Sequence, residues 1–179
     1  VVGSVIAPNG VPMAAYSYEG TIRLARCLAW NDCPKAVVVP SDAGSPTLAF
    51  AIDPPNIPVT VIAWRNGSNA LKVARCSSME CSNGAGSYIS INTPATGLDS
   101  WHKPDMAIGT NGFPVIAYKA AANTDIHLVV CGDTACTPEK AVLRSFPMGL
   151  TSAPKIAVMP DGRPVVAAHV EDSKLTIAY

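Results

Sequence analysis

Short apolar runs alternate with turn residues along the whole chain, and one succession of runs recurs four times. The first unit reads SVIAPNGVPMAAY, TIRLARC and KAVVVPS. The second reads LAFAIDPPNIPVTVIAW, ALKVARC and GSYISINTP. The third reads DMAIGTNGFPVIAY, DIHLVVC and KAVLRSFP. The fourth reads KIAVMPDGRPVVAAHV and KLTIAY. Anchor prolines at Pro12, Pro58, Pro114 and Pro164 set a period of about fifty residues, which marks a repeat architecture.

Each unit predicts four short strands, a to d. Strand a precedes Asn9-Gly10, Asn111-Gly112 or Asp161-Gly162, a tight-hairpin signal because these residues tolerate positive φ. The second unit carries Pro55-Asn56-Ile57 there, so its turn is built differently. A proline opens strand b, where its missing N–H does least harm. Strand b, as in Pro114 to Tyr118, is apolar at successive positions and so is covered on both faces. Strand c alternates, as in Leu71 to Cys76, and strand d is more polar, as an outer edge should be.

Four-stranded antiparallel meanders at this period predict an all-β fold, a β-propeller-like array of blades. Its repeats span residues 1–45, 46–103, 104–152 and 153–179, and the last is incomplete, about 3.75 blades in all. A β-sandwich or β-solenoid is the alternative. The unit IA…NG.PV.AY…L.V..C….C resembles the propeller repeats of the sialidase-like and Asp-box superfamily, in a cysteine-containing form of secreted proteins. The resemblance covers nearly the whole chain and implies the fold. The Asp-box, Ser-x-Asp-x-Gly-x-Thr-Trp, is absent, and the arginine cluster, Tyr/Glu pair and acidic Asp of a true sialidase find no counterparts. No catalytic residue is therefore carried over.

Composition narrows the partners. Thirteen Lys and Arg balance thirteen Asp and Glu, which argues against a nucleic-acid or anionic-membrane binder. No apolar run reaches the length of a membrane helix. Sixteen prolines and thirteen glycines oppose long helices. The six cysteines occupy one place in the repeat, the end of strand c and the start of strand d. That selects the disulfides Cys27–Cys33, Cys76–Cys81 and Cys131–Cys136, each closing a c–d hairpin. A loop this short stabilises by about 2 kcal/mol in the chain-entropy model. Zinc would need four converging ligands, and the pairs sit on different blades. Disulfides imply a secreted, periplasmic or cell-surface protein.

In such a blade the a–b and c–d turns share one end, and the b–c loops and d–a links share the other. The second end holds the longer segments, among them AWRNGSN and TPATGLDSWHKP. Trp64 and Arg65 fall on a b–c loop, Trp101, His102 and Lys103 on the longest d–a link, and His169 just after the last strand b. An aromatic ring beside cationic and hydrogen-bonding groups suits a sugar ring or a protein anchor. The same face carries Glu19, Asp99, Asp125, Glu171 and Asp172, read as solvated loop charges. His127, in line with Arg23 and Lys72, reads as part of a solvated strand face, and Trp30 as local packing inside the first stapled loop. Asn66-Gly67-Ser68 is a glycosylation sequon in a eukaryotic secreted context. No metal, phosphate, cofactor or nucleophile motif appears.

The expectation is an extracellular binding module for a carbohydrate or protein ligand. A glycoside hydrolase or lyase on the same face, and a structural or assembly propeller, are the alternatives. The incomplete fourth unit leaves an open strand edge. It points either to a piece of a longer propeller or to copies that assemble and complete a ring.

Overall fold

A computed structural model describes residues 2–29, 31–39, 44, 46–53, 57–78, 81, 85–90, 98–99, 102–121, 125–147, 149, 152–170 and 175–178. Four antiparallel sheets follow one another along the chain. The first holds β1 (Val2–Ile6), β2 (Pro12–Tyr18), β3 (Thr21–Arg26) and β4 (Lys35–Val39). The second holds β5 (Pro46–Asp53), β6 (Ile57–Arg65), β7 (Leu71–Cys76) and β8 (Ala85–Ser90). The third holds β9 (Asp105–Ile108), β10 (Pro114–Lys119), β11 (Ile126–Val130) and β12 (Val142–Phe146). The fourth holds β13 (Lys155–Val158), β14 (Pro164–His169) and β15 (Leu175–Ala178). Within each sheet the strands pair in sequence order, so every sheet is a meander. The all-β reading and the strand grammar of the repeat hold in these four sheets.

The a–b turns follow a common plan that differs in detail from a two-residue hairpin. The Gly10 N–H donates to the Ala7 carbonyl, Gly112 to Gly109 and Gly162 to Met159. Only the glycine takes positive φ, at 82°, 82° and 87°. Asn9, Asn111 and Asp161 use their side chains instead, each Oδ1 accepting the N–H two residues on. The arrangement is a three-residue loop closed by a glycine in the left-handed region, so the Asn or Asp is there to accept a hydrogen bond.

Alternation along the strands makes two apolar faces per sheet, and the sheets stack through them. Met13, Ala15, Ile22 and Leu24 of the first sheet meet Leu48, Ile62, Trp64 and Ala74 of the second. Val59, Val61, Leu71 and Val73 of the second meet Met106, Ile116, Tyr118 and Val129 of the third. Val115, Ala117, Ile126 and Leu128 of the third meet Val166 and Ala168 of the fourth. The a strands neighbour one another in turn, β1 beside β5, β5 beside β9 and β9 beside β13. Asp105 ties the last pair together, accepting the Ile156 N–H at 3.1 Å and lying 3.4 Å from Lys155 Nζ. Strand d of the third sheet is solvent-facing, with Val142 to Ser145 exposed.

All three disulfides form as the repeat selects, and no cysteine is free. The third loop is further held by Asp133. Its carboxylate accepts the Thr137 N–H at 2.9 Å and the Thr137 hydroxyl at 2.6 Å, and Lys140 lies 3.3 Å away. Burial pushes the Asp133 carboxyl up, but these hydrogen bonds and the lysine outweigh it and hold the group below its ordinary range.

Candidate functional site

The ladders themselves fix which ends come together. The Cys27 N–H donates to the Pro12 carbonyl and Cys131 to Pro114, so the stapled hairpins lie beside the a–b turns. At the other end the Leu98 N–H donates to the Asn69 carbonyl at 2.7 Å, joining a d–a link to a b–c loop. Leu98 also bridges to Ala120, and the Asp99 N–H donates to the Lys119 carbonyl at 2.9 Å. These bonds place the link that precedes the third sheet across the ends of β6 and β10.

A polar cluster results. Asp99 Oδ2 lies 3.0 Å from Lys119 Nζ, and both side chains are largely buried. His102 Nδ1 is 3.3 Å from the same oxygen, outside hydrogen-bonding alignment. On the neighbouring loop Arg65 Nη1 donates to Asn69 Oδ1. Asn69 holds positive φ at 62°, a conformation Asn tolerates better than most residues. The link preceding the second sheet also presses on this end. A Cβ on Gly44 would sit 1.9 Å from the Arg65 carbonyl oxygen, so only glycine fits there.

The expected residues are therefore partly brought together. Arg65 and His102 share this end with Asp99, Asn69 and Lys119. Lys103 sits at the next gap, near Asp105 and Lys155; burial, and then the Lys155 charge, hold its ammonium below the ordinary lysine range against the pull of Asp105. His169 is exposed at the end of β14, its N–H donating to Ser152 Oγ at 3.0 Å. Trp101, Trp30, Glu171 and Asp172 lie outside the described residues.

Trp64 is corrected. It is not on a loop but within β6, paired with Lys72 and Pro46, and is 1% exposed between the first and second sheets. Trp64 holds the register position of Tyr118, opposite Lys72 as Tyr118 is opposite His127, and each strand ends one residue later. An aromatic of this size is most stable filling the space between sheets. His127 is also corrected: it is 3% exposed rather than on a solvated face. The sequon is not presented either. Asn66 is 6% exposed, and its Oδ1 accepts the N–H groups of Ser68 and Ala70 to shape the loop.

Lys119 and Asn69 were not singled out from sequence, although a signal for Lys119 exists. Three of the four b strands, β6, β10 and β14, end in a pair whose second member is basic: Trp64-Arg65, Tyr118-Lys119 and Ala168-His169. Three successive sheets thus place a basic residue at the same register position. Among the described residues, no group of three His, Cys, Asp or Glu side chains is placed to hold a metal ion. Among the described residues no helix is long and apolar enough to cross a membrane. No protein-family description matches the chain, and no curated protein sequence matches it.

Proposed function

We propose that the chain is a binding module of an extracellular protein, built as part of a β-propeller, and that its ligand docks on the face of the b–c loops and d–a links. The observation that carries this reading is the cluster at the ends of β6 and β10. There the Arg65–Asn69 pair and the group of Asp99, His102 and Lys119 come from two loops and two strands and are tied together by the backbone hydrogen bonds of Leu98 and Asp99. A rigid ladder that presents convergent polar groups is the usual basis of a loop-face site. The successive stacking of the sheets through their a strands supports the propeller reading. The three disulfides support an oxidising compartment.

The ligand is a polar one, a glycan or a protein surface, held by hydrogen bonds and charge rather than by stacking on Trp64, which is buried. The test is a glycan array and a protein pull-down with the purified chain, repeated with Arg65→Ala plus His102→Ala. Loss of captured ligand by about tenfold or more is expected. Undiminished capture by a folded double variant would remove this face as the site.

A further inference from the structure

The two halves of the cluster at the ends of β6 and β10 meet at Asn69. Its side-chain oxygen accepts a hydrogen bond from Arg65 Nη1, and its carbonyl accepts the Leu98 N–H at 2.7 Å. Leu98 is fully buried and bridges to Ala120. The next residue, Asp99, donates its N–H to the Lys119 carbonyl and holds its carboxylate 3.0 Å from Lys119 Nζ, with His102 Nδ1 at 3.3 Å. The side chain of Asn69 thus bears on Arg65, and its backbone bears on Asp99, His102 and Lys119.

The side chain of Asn69 is not what closes the loop. Asn66 does that: its N–H donates to the Ala70 carbonyl at 3.0 Å, its carbonyl accepts the Asn69 N–H at 3.0 Å, and its Oδ1 accepts the N–H groups of Ser68 and Ala70. On the other side, the close approach of Gly44 pins the Arg65 carbonyl, so the Arg65 backbone is set independently of where its guanidinium points. Asn69 adds two things to this frame. Its left-handed backbone, at φ 62°, presents the carbonyl to the link, and its amide oxygen holds the guanidinium. Glycine would serve if positive φ were the only demand, whereas Asn or Asp meets that demand and also brings an acceptor.

We propose that Asn69 is the positioning residue of this site: its amide aims the Arg65 guanidinium, its carbonyl seats the link that carries Asp99 and His102, and together they fix the spacing between the two halves. A site holds its geometry only when the residues behind the contacting groups are themselves locked by hydrogen bonds. The consequence for binding rests on the reading of the cluster as the ligand site, and the positioning itself does not.

Three variants of the oxidised chain separate the two roles. Asn69→Gly keeps the left-handed backbone and the carbonyl and removes only the side chain. Asn69→Asp keeps both. Asn69→Val keeps neither, because a β-branched residue resists positive φ. In nuclear magnetic resonance spectra the Arg65 Nη protons should be resolved from one another in wild type and Asn69→Asp and averaged in Asn69→Gly. Hydrogen exchange at the Leu98 amide should stay within about threefold of wild type in the Gly and Asp variants and run at least about tenfold faster in Asn69→Val. Glycan-array capture should fall in Asn69→Gly as far as in Arg65→Ala, and the two substitutions together should do no more than either. Arg65 signals unchanged by Asn69→Gly, or a Leu98 amide about tenfold faster in that variant, would overturn the proposal, and both readings stand without Asn69→Val if it fails to fold. The spectroscopic changes without any loss of capture would uphold the positioning and remove this face as the ligand site.

Discussion

The Tyr118 hydroxyl lies 3.2 Å from His127 Nδ1 across β10 and β11, between the second and third sheets, and both residues are almost wholly buried. Their rings are tilted at 46° with centroids 5.1 Å apart. Burial pushes the Tyr118 phenol well above its ordinary range, so it stays protonated, and it shares a hydrogen bond with His127 Nδ1 whose direction the imidazole tautomer sets. Burial pushes the His127 imidazole down, against a smaller upward pull from Asp125. Nε2 has no hydrogen-bond partner among the described residues, so a charged ring would be poorly accommodated.

A pH dependence follows. Because the folded-state pKa of His127 is lowered, the unfolded chain binds the extra proton first as pH falls below about 6.5. The contribution of the neutral histidine is fully present above that pH and is lost as pH falls from there towards the folded value. Stability from urea unfolding should be level from pH 8 to 7 and drop as pH falls below about 6.5, by at most about 1.4 kcal/mol per pH unit from this group. His127→Gln should flatten that drop. An equally steep decline in the variant would assign it elsewhere.

Trp64→Ala should behave as a core truncation and cost about 3–5 kcal/mol, since the ring is 1% exposed among Ile62, Ala74 and Leu48. His169→Ala, at an exposed strand end, should stay within about 0.5 kcal/mol. Chemical denaturation of the two variants checks both. A cost below about 1 kcal/mol for Trp64→Ala would mean that the ring does not fill the space between the first two sheets.

The contrast between these residues shows how far the sequence could be read. The repeat, its strands, the disulfide pairs and the two ends of the sheets were legible because proline, glycine and cysteine recur at matched positions. The orientation of a single side chain was not. Trp64 is followed at once by Arg65-Asn66-Gly67, which reads as loop, yet it pairs with Lys72 within β6 and lies inside. His127 shares its register position with Arg23 and Lys72, and polarity alone cannot tell a solvated cation from a neutral ring hydrogen-bonded to a facing tyrosine. The Asp99–Lys119 contact spans a d–a link and a strand b, so no local pattern announces it.

That contact should be strongly coupled. Lys119 is 8% exposed, and its removal leaves the Asp99 carboxylate without its lysine in a partly buried site. Lys119→Met is expected to cost about 3 kcal/mol, and Asp99→Asn alone a comparable amount. The double variant should cost less than the sum by 1 kcal/mol or more, roughly the coupling expected of contacting residues. Strict additivity in a double-mutant cycle would show that the two side chains do not depend on each other.

The Asp133 cap and the disulfide it sits in should be separable. Asp133→Ala removes acceptors for the Thr137 N–H and hydroxyl within the loop closed by Cys131–Cys136, at a cost of about 1–3 kcal/mol. The folded carboxyl has a lowered pKa, so its contribution is present above the ordinary value of 3.8 and is lost as pH falls through the folded value. The cap therefore matters at neutral pH and fades only in strong acid, well below the window set by His127. Reduction acts differently: opening each short loop frees the unfolded chain and should cost about 2 kcal/mol per bridge whether or not Asp133 is present. Urea unfolding of wild type and Asp133→Ala, each oxidised and reduced, gives the four values needed. If reduction erased the whole effect of the substitution, the cap would exist only because the disulfide holds Thr137 over Asp133, and the two devices would be one.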